Sequence, residues 1–361
     1  IVVDATDDDA VTDLAGRTRV VVTTVGPYVL YGRGLAAACA AAGTHYCDLT
    51  GEVLFVHQSI ADNHEAAKTT GARIVHACGV DSIPSDLGVL LTARAAQADG
   101  AQLGNTRLAV KSFKGGASGG TVATMVAQAD QMRSDARARS IVADRWALAE
   151  GGRPPRSTSP RTPGGSGLPG LVDRVVKASP VKRDSDNGHF TGPFVMAGFN
   201  TRIVARSASL LDYGPGFRYV EYTDYGSGPR GAVMAGGVTT ALGLGLVGMA
   251  FSPTRSVLGR VLPAPGEGPS EETMASGRFR MVVTAEATNG SRYRSTVAAP
   301  YDPGYGGTAI MLGQAALALV EDVDELPDAA GVLTPASAIG EPLVERLRAH
   351  RFTLETKRLD D

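Results

Sequence analysis

Val20-Val21-Val22-Thr23-Thr24-Val25-Gly26-Pro27-Tyr28 is an apolar, β-branched run that stops at Gly-Pro. A short run of this kind, bounded by turn formers, predicts a strand buried on both faces of a parallel sheet. The stop sets a tight turn at the strand's carboxyl end, where open α/β sheets place their ligands. Working outward, an Ala-rich helix is expected over 35–42. A second strand leads into Thr44-His45-Tyr46-Cys47-Asp48-Leu49-Thr50-Gly51-Glu52, and a helix follows from about 53 to 69. The third strand, Ala72 to Gly79, runs into Val80-Asp81-Ser82-Ile83-Pro84-Ser85-Asp86. Three strands with two helices between them make a βαβαβ unit with right-handed crossovers. Each strand ends in small or polar residues, and those ends are the candidate site. Upstream, Ile1–Ala5 reads as a strand end, and Asp13, Leu14 and Ala15 sit in a short helix.

Beyond about Leu90 the texture changes. Thr106 to Phe113 alternates as a strand, and residues 114–121 form a glycine-rich loop before a helix reaching about Asp144. Ser118 or Thr121 is placed to cap that helix. The loop either holds an anion on its N–H groups or lets the helix pack closely. Residues 151–188, rich in Gly, Pro, Ser and Arg, read as a mobile insertion. A helix is expected from Thr201 and a strand over 217–225. Residues 278–288 and 291–298 alternate around Asn289-Gly290, which predicts a hairpin and hence an antiparallel or mixed sheet. Helices over 308–320 and 340–350 and a closing strand from Arg351 complete the chain.

A chain of 361 residues has room for two domains. The net charge of −2, with no long basic run, gives no case for nucleic acid. Three scattered cysteines without CxxC spacing point to a reducing, cytoplasmic setting. Asp4, Asp7, Asp8 and Asp9 fall where a signal peptide would need its apolar core. The one GxGxxG, Gly243 to Gly248, follows Ala, Gly and Thr rather than a strand, and Pro253 comes soon after; it reads as a decoy. It lies in an uncharged run, 231–254, flanked by Arg230 and Arg255. At ~1.5 Å per residue this run reaches across the ~30 Å hydrocarbon layer. Gly237, Ala241 and Gly245 form a small-residue stripe within it. A span, a buried or dimer-forming helix, and a helix lying on a membrane surface all stay open.

Three segments together, Thr23 to Tyr28, Gly43 to Glu52 and Cys78 to Asp86, resemble the saccharopine-dehydrogenase-like oxidoreductases. They are most similar to the trans-acting enoyl reductases that serve lipid-making polyketide synthases. The likeness extends through residues 115–121, Phe199 to Val204 and Gly331 to Ala336, and so over nearly the whole chain. It implies an α/β fold: an N-terminally truncated Rossmann-type parallel sheet over 1–90, then a second α+β domain with a mixed or antiparallel sheet over 91–300. Residues 301–361 would return to the first domain. It also implies reduction with NADPH or NADH of a lipid-like acyl chain carried on a polyketide synthase; a membrane surface and a homodimer are further partners expected from the 231–254 run alone. The family's opening strand, Gly-rich turn and helix are absent ahead of Ile1. A non-catalytic remnant, or a membrane-associated scaffold, is therefore the rival reading.

Hydride transfer needs the nicotinamide held against an acceptor carbon, plus a proton source. Thr24, Gly26 and Pro27 lie where the nicotinamide-side ribose would approach. Asp48, Thr50, Gly51, Glu52 and Gly79 are expected around the same cofactor, although Asp48 or Thr50 could equally cap the next helix. Tyr28 is the first candidate proton donor, with Arg33 as its neighbouring cation and Tyr46 or water as alternatives. Asp81 and Ser82 complete the expected catalytic set. Ser85, Asp86, Gly119, Asn200 and Arg202 are assigned to substrate, with capping or solvation as the other role for several. His45, His57, His64 and His76 lack metal-ligand spacing, and no metal is expected.

Overall fold

A computed structural model describes residues 3–115, 130–133, 135–152, 180–184, 186–250 (side chains to 245) and 268–359. Asp7 accepts from the N–H groups of Asp9 and Ala10 and caps α1 (Asp8–Gly16). β1 (Val20–Thr23) leads through Gly26-Pro27 to a single turn, α2 (Tyr28–Tyr31), and then α3 (Arg33–Ala42). Gly43, at φ 77°, ends α3 in the left-handed conformation. β2 (His45–Asp48), α4 (Val53–Thr70), β3 (Arg73–Val75) and α5 (Ile83–Ala98) follow. Next come β4 (Leu103–Lys114), α6 (Ala136–Ala143), β5 (Lys182–Arg183), β6 (Phe190–Gly192), α7 (Ala197–Leu210), β7 (Arg218–Asp224) and α8 (Gly228–Ala250). The chain closes with α9 (Glu271–Ala275), β8 (Arg278–Ala287), β9 (Arg292–Ala299), α10 (Gly306–Glu321), β10 (Gly331–Leu333), α11 (Pro335–Ala338), α12 (Glu341–Ala349) and β11 (Thr353–Arg358).

The first sheet is parallel throughout, in the order β1-β2-β3-β10. The second has seven strands, β11-β9-β8-β4-β7-β6-β5, and only β4 and β7 run parallel in it. The fold is therefore mixed α/β, with a parallel sheet followed by a mixed one. Of the last sixty residues, β10 joins the first sheet and β11 joins the second. The expected strand at the amino end differs: Val3, Asp4 and Ala5 are not in a strand, and Ile1 and Val2 lie outside the described residues.

α5 packs against the second sheet and against α7 and α11. It is apolar nearly all round, with Leu87, Leu90 and Leu91 buried on different faces, as a helix covered on more than one side must be. Gly88 brings it close to the second sheet: a Cβ there would lie 3.0 Å from Val283 Cγ2 and 3.2 Å from Val297 Cγ2. Each fully buried leucine contributes about 1.5–3 kcal/mol by leaving water. At the β8–β9 hairpin, the N–H of Ala287 donates to the carbonyl of Ser291 at 2.9 Å, and Gly290 takes φ 84°. Only glycine adopts that value without cost.

α8 lies against β6, where a Cβ on Gly192 would strike the Thr239 hydroxyl at 2.9 Å. Among the described residues no helix is long and apolar enough to cross a membrane. The glycines of 231–245 dilute its apolarity, and 251–254 lie outside the described residues.

Candidate active site at the strand tips

In the parallel register Thr23 pairs with Asp48 and Cys47 with Val75. Thr24, the Asp48–Gly51 stretch and the Gly79–Asp81 stretch therefore follow three adjacent strands at one edge of the sheet. The N–H of Cys78 donates to the carbonyl of Asp48 at 2.7 Å and ties the second and third loops together. The loops divide into a rim and a foundation. Thr24, Val25 and Gly26 are exposed, and Pro27, Gly51 and Asp81 are half-buried. Asp48, Thr50, Glu52 and Gly79 are buried.

The foundation corrects several expected roles. Glu52 accepts from the N–H groups of Tyr28 and Val29, both at 2.8 Å, so its two oxygens cap α2. Pro27, at the N-cap position, has no side-chain group to do so. The Tyr28 hydroxyl donates to the carbonyl of Thr23 and accepts from the N–H of Leu49, both at 3.2 Å. Burial, with the Asp48 charge nearby, holds its ionisation far above the ordinary tyrosine range. Tyr28 thus joins two strand ends and is not free to supply a proton, and no described bond links it to Arg33, which lines a cavity between α3 and α4. Tyr46 is no substitute, because its ring is fully buried and its hydroxyl is without a partner.

Asp48 is likewise spent inside the protein. One oxygen accepts from the N–H groups of Thr50 and Ala77, at 3.1 and 3.0 Å, and the other bonds His76 Nδ1 at 2.7 Å. Ala77 has φ 63°, a conformation that costs a non-glycine residue energy, and the Asp48 bond holds it there. His76 Nε2 bonds the Ser59 hydroxyl at 2.9 Å, so the histidine is a packed residue with both nitrogens used. The Thr50 hydroxyl accepts from the N–H of Glu52 at 3.1 Å.

The expected substrate residues form the joint between the two layers. Ser82 donates to Asn200 Oδ1 at 3.0 Å, and Asn200 Nδ2 donates to Glu221 Oε2 at 3.1 Å and more weakly to Ser85 at 3.4 Å. Tyr219 donates to the other Glu221 oxygen at 2.8 Å. Asp86 accepts from the Ser207 hydroxyl and from the N–H of Ala336. Arg202 is turned to the carbonyls of Asp144, Val142 and Gly198. Ser85, Asp86, Asn200 and Arg202 are all buried and satisfied, so they position the layers and do not face a substrate. Gly119, with Ser118 and Thr121, lies outside the described residues.

This joint has a pH signature. Burial pushes the Asp86 carboxyl up to about 6 and that of Glu221 up to about 7. Both values lie above those of the unfolded chain, so the fold prefers the neutral acids. Their stabilisation is complete below about pH 4 and is lost as the pH rises through 6 and 7. Each contributes about 3 kcal/mol at the acid end, before solvent relaxation reduces it. Denaturation midpoints are expected to fall between about pH 4 and pH 7. Asp86→Asn with Glu221→Gln should flatten that fall.

What remains at the rim is Asp81. It is half-buried, has no hydrogen bond or ion pair among the described residues, and burial pushes its carboxyl up to about 6. Its neighbour Ser82 is bonded to Asn200, one turn along the helix that opens at Met196. A Cβ on Gly51 would lie 3.6 Å from Met196 Cε, so the Met196 end of the Phe194–Met196 segment stands against the strand tips. Phe113 stacks edge-on against Phe194 with ring centroids 5.8 Å apart. Phe113 and Val195 are 44% and 52% exposed.

No family model matches the chain. A Mycobacterium tuberculosis protein named as a trans-acting enoyl reductase is 45% identical over 353 residues, spanning 96% of this chain and 82% of that protein. The trans-acting enoyl reductase of Mycobacterium bovis is 41% identical over 371 residues, spanning 99% and 85%. This chain belongs to the trans-acting enoyl reductase family. A further member, from Mycobacterium ulcerans, is 41% identical over 99% of this chain and 85% of its own. A solved saccharopine dehydrogenase from Saccharomyces cerevisiae aligns at TM-score 0.49 and 11% identity, over 99% of this chain and 89% of that one.

The candidate site also includes residues to which sequence reasoning assigned no role: Phe194, Val195 and Met196, and Glu221 in the strand expected over 217–225. The signal available was chemical: three large apolar residues directly after a Gly-Pro turn, at the entry to a helix.

Proposed function

We propose that this reductase transfers hydride from NADPH or NADH to the double bond of a lipid-like or polyketide acyl chain at the tips of β1, β2 and β3. Asp81 carries the reading. A carboxyl group with no internal partner, raised by burial toward neutrality, holds a proton where a half-exposed loop meets an apolar wall. The described residues fit the nicotinamide end of a dinucleotide: the exposed main chain of Thr24 to Gly26 on one loop, and side-chain-free Gly51 on the next. The cofactor, when bound, supplies the hydride. Asp81 supplies the proton, and Glu52, Tyr28 and Asp48 keep the loops in place. Phe113 and Val195 offer apolar surface to an acyl chain and keep water from it.

Oxidation of NADPH and of NADH with enoyl thioesters of increasing chain length tests the reading. Turnover is expected with one or both cofactors. Each methylene covered by the wall should raise kcat/KM about fourfold, the equivalent of ~0.8 kcal/mol. Failure to oxidise either cofactor with any thioester would leave the chain a non-catalytic relative.

A further inference from the structure

The face of the second sheet turned away from α5 is not covered by any described helix, and its register builds a row of positive charge. Across four strands Arg107 stands beside Thr284, Thr284 beside Arg294, and Arg294 beside Lys357. Arg280 lies two positions along β8 on the same face. Arg294 and Lys357 are like charges directly opposite in the ladder, a pairing that disfavours it. Arg107 and Lys111 have carboxylate partners in Asp186 and Asp224. Arg280, Arg294 and Lys357 are exposed and have no carboxylate partner among the described residues. Arg107, Arg280 and Arg294 all line one open cavity of about 620 Å³.

We infer that this face is the docking surface for an acidic acyl-carrier domain, the class of protein that holds an acyl chain as a thioester. The choice of partner rests on the enoyl reductase reading; the choice of face rests on charge. A second copy seated on this face is the alternative that sedimentation detects. A bilayer or nucleic acid presents uniform negative charge, and the acids interleaved on this face, Glu286 and Glu355, would repel it. A protein surface carries charges of both signs in fixed positions and can match such a pattern.

The test is fluorescence anisotropy of a labelled, phosphopantetheinylated carrier domain from a polyketide synthase, titrated with the full chain. Binding is expected at low salt and should weaken as salt rises. Arg280→Glu with Arg294→Glu should weaken it about tenfold or more, with the rate on a free enoyl thioester unchanged. If that pair fails to fold, Arg294→Gln with Lys357→Gln gives the same comparison with a smaller charge change. The inference is overturned if the carrier does not bind, or if it binds wild type and variants alike. It is also overturned if the variants instead abolish dimerisation of the chain in sedimentation, or its flotation with anionic vesicles. Charge-sensitive carrier binding by a chain that turns over no free thioester would uphold the docking face while refuting the reductase reading.

Discussion

Asp81→Asn is expected to lower kcat for enoyl reduction by about 10²–10⁴-fold, the usual worth of a positioned general acid, with KM for either substrate nearly unchanged. The amide keeps the size and polarity of the side chain but has no acidic proton. Because Asp81 bonds to no other described group, the substitution should leave the melting temperature close to that of wild type. The pH profile makes the claim specific. With the carboxyl raised to about 6, the protonated form predominates below that value. For wild type, kcat/KM should therefore fall as the pH rises through about 6, and in the Asn variant that limb should be absent. A variant with wild-type kcat, or one that keeps the limb, would remove Asp81 from the reaction.

Glu52 is expected to show the opposite pattern. Glu52→Ala strands the buried N–H groups of Tyr28 and Val29, at about 1–3 kcal/mol each, so a loss of about 2–6 kcal/mol follows. Thermal melting should register it as a clear downward shift. Glu52→Gln keeps one acceptor oxygen and should recover part of the loss. If Glu52 instead held the cofactor ribose, both variants would raise the KM for NADPH while leaving melting unchanged. Calorimetric melting of the three proteins, with KM measured alongside, separates a cap from a ligand.

The two variants mark how far the sequence could be read. Asn289-Gly290 between alternating strands and the Val20–Thr23 run depend on neighbours in sequence, and both elements formed where expected, although Val22 is exposed and β1 is not buried on both faces. The strand ends were legible for the same reason, since each strand announced its own end. The division of labour at those tips was not. Glu52, Asp48 and Tyr28 are polar residues at strand ends, and nothing local tells an inward carboxylate from an outward one. Their partners lie 24 residues away at Tyr28, for Glu52, and 29 away at Ala77, for Asp48. Asn200 and Arg202 were drawn to substrate by their chemistry, but the packing of α7 between α5 and residues 142–144 uses up their bonds. Met196 acquires its meaning only from standing against Gly51, a contact no periodicity encodes.

The most direct measurement is hydrogen–deuterium exchange of the full chain with and without saturating NADPH. If nicotinamide rests on the tips of β1, β2 and β3, slowed exchange will concentrate in Thr24–Tyr28, Leu49–Gly51 and Gly79–Asp81. Protection confined to other segments, or none while NADPH is demonstrably bound, would contradict the account.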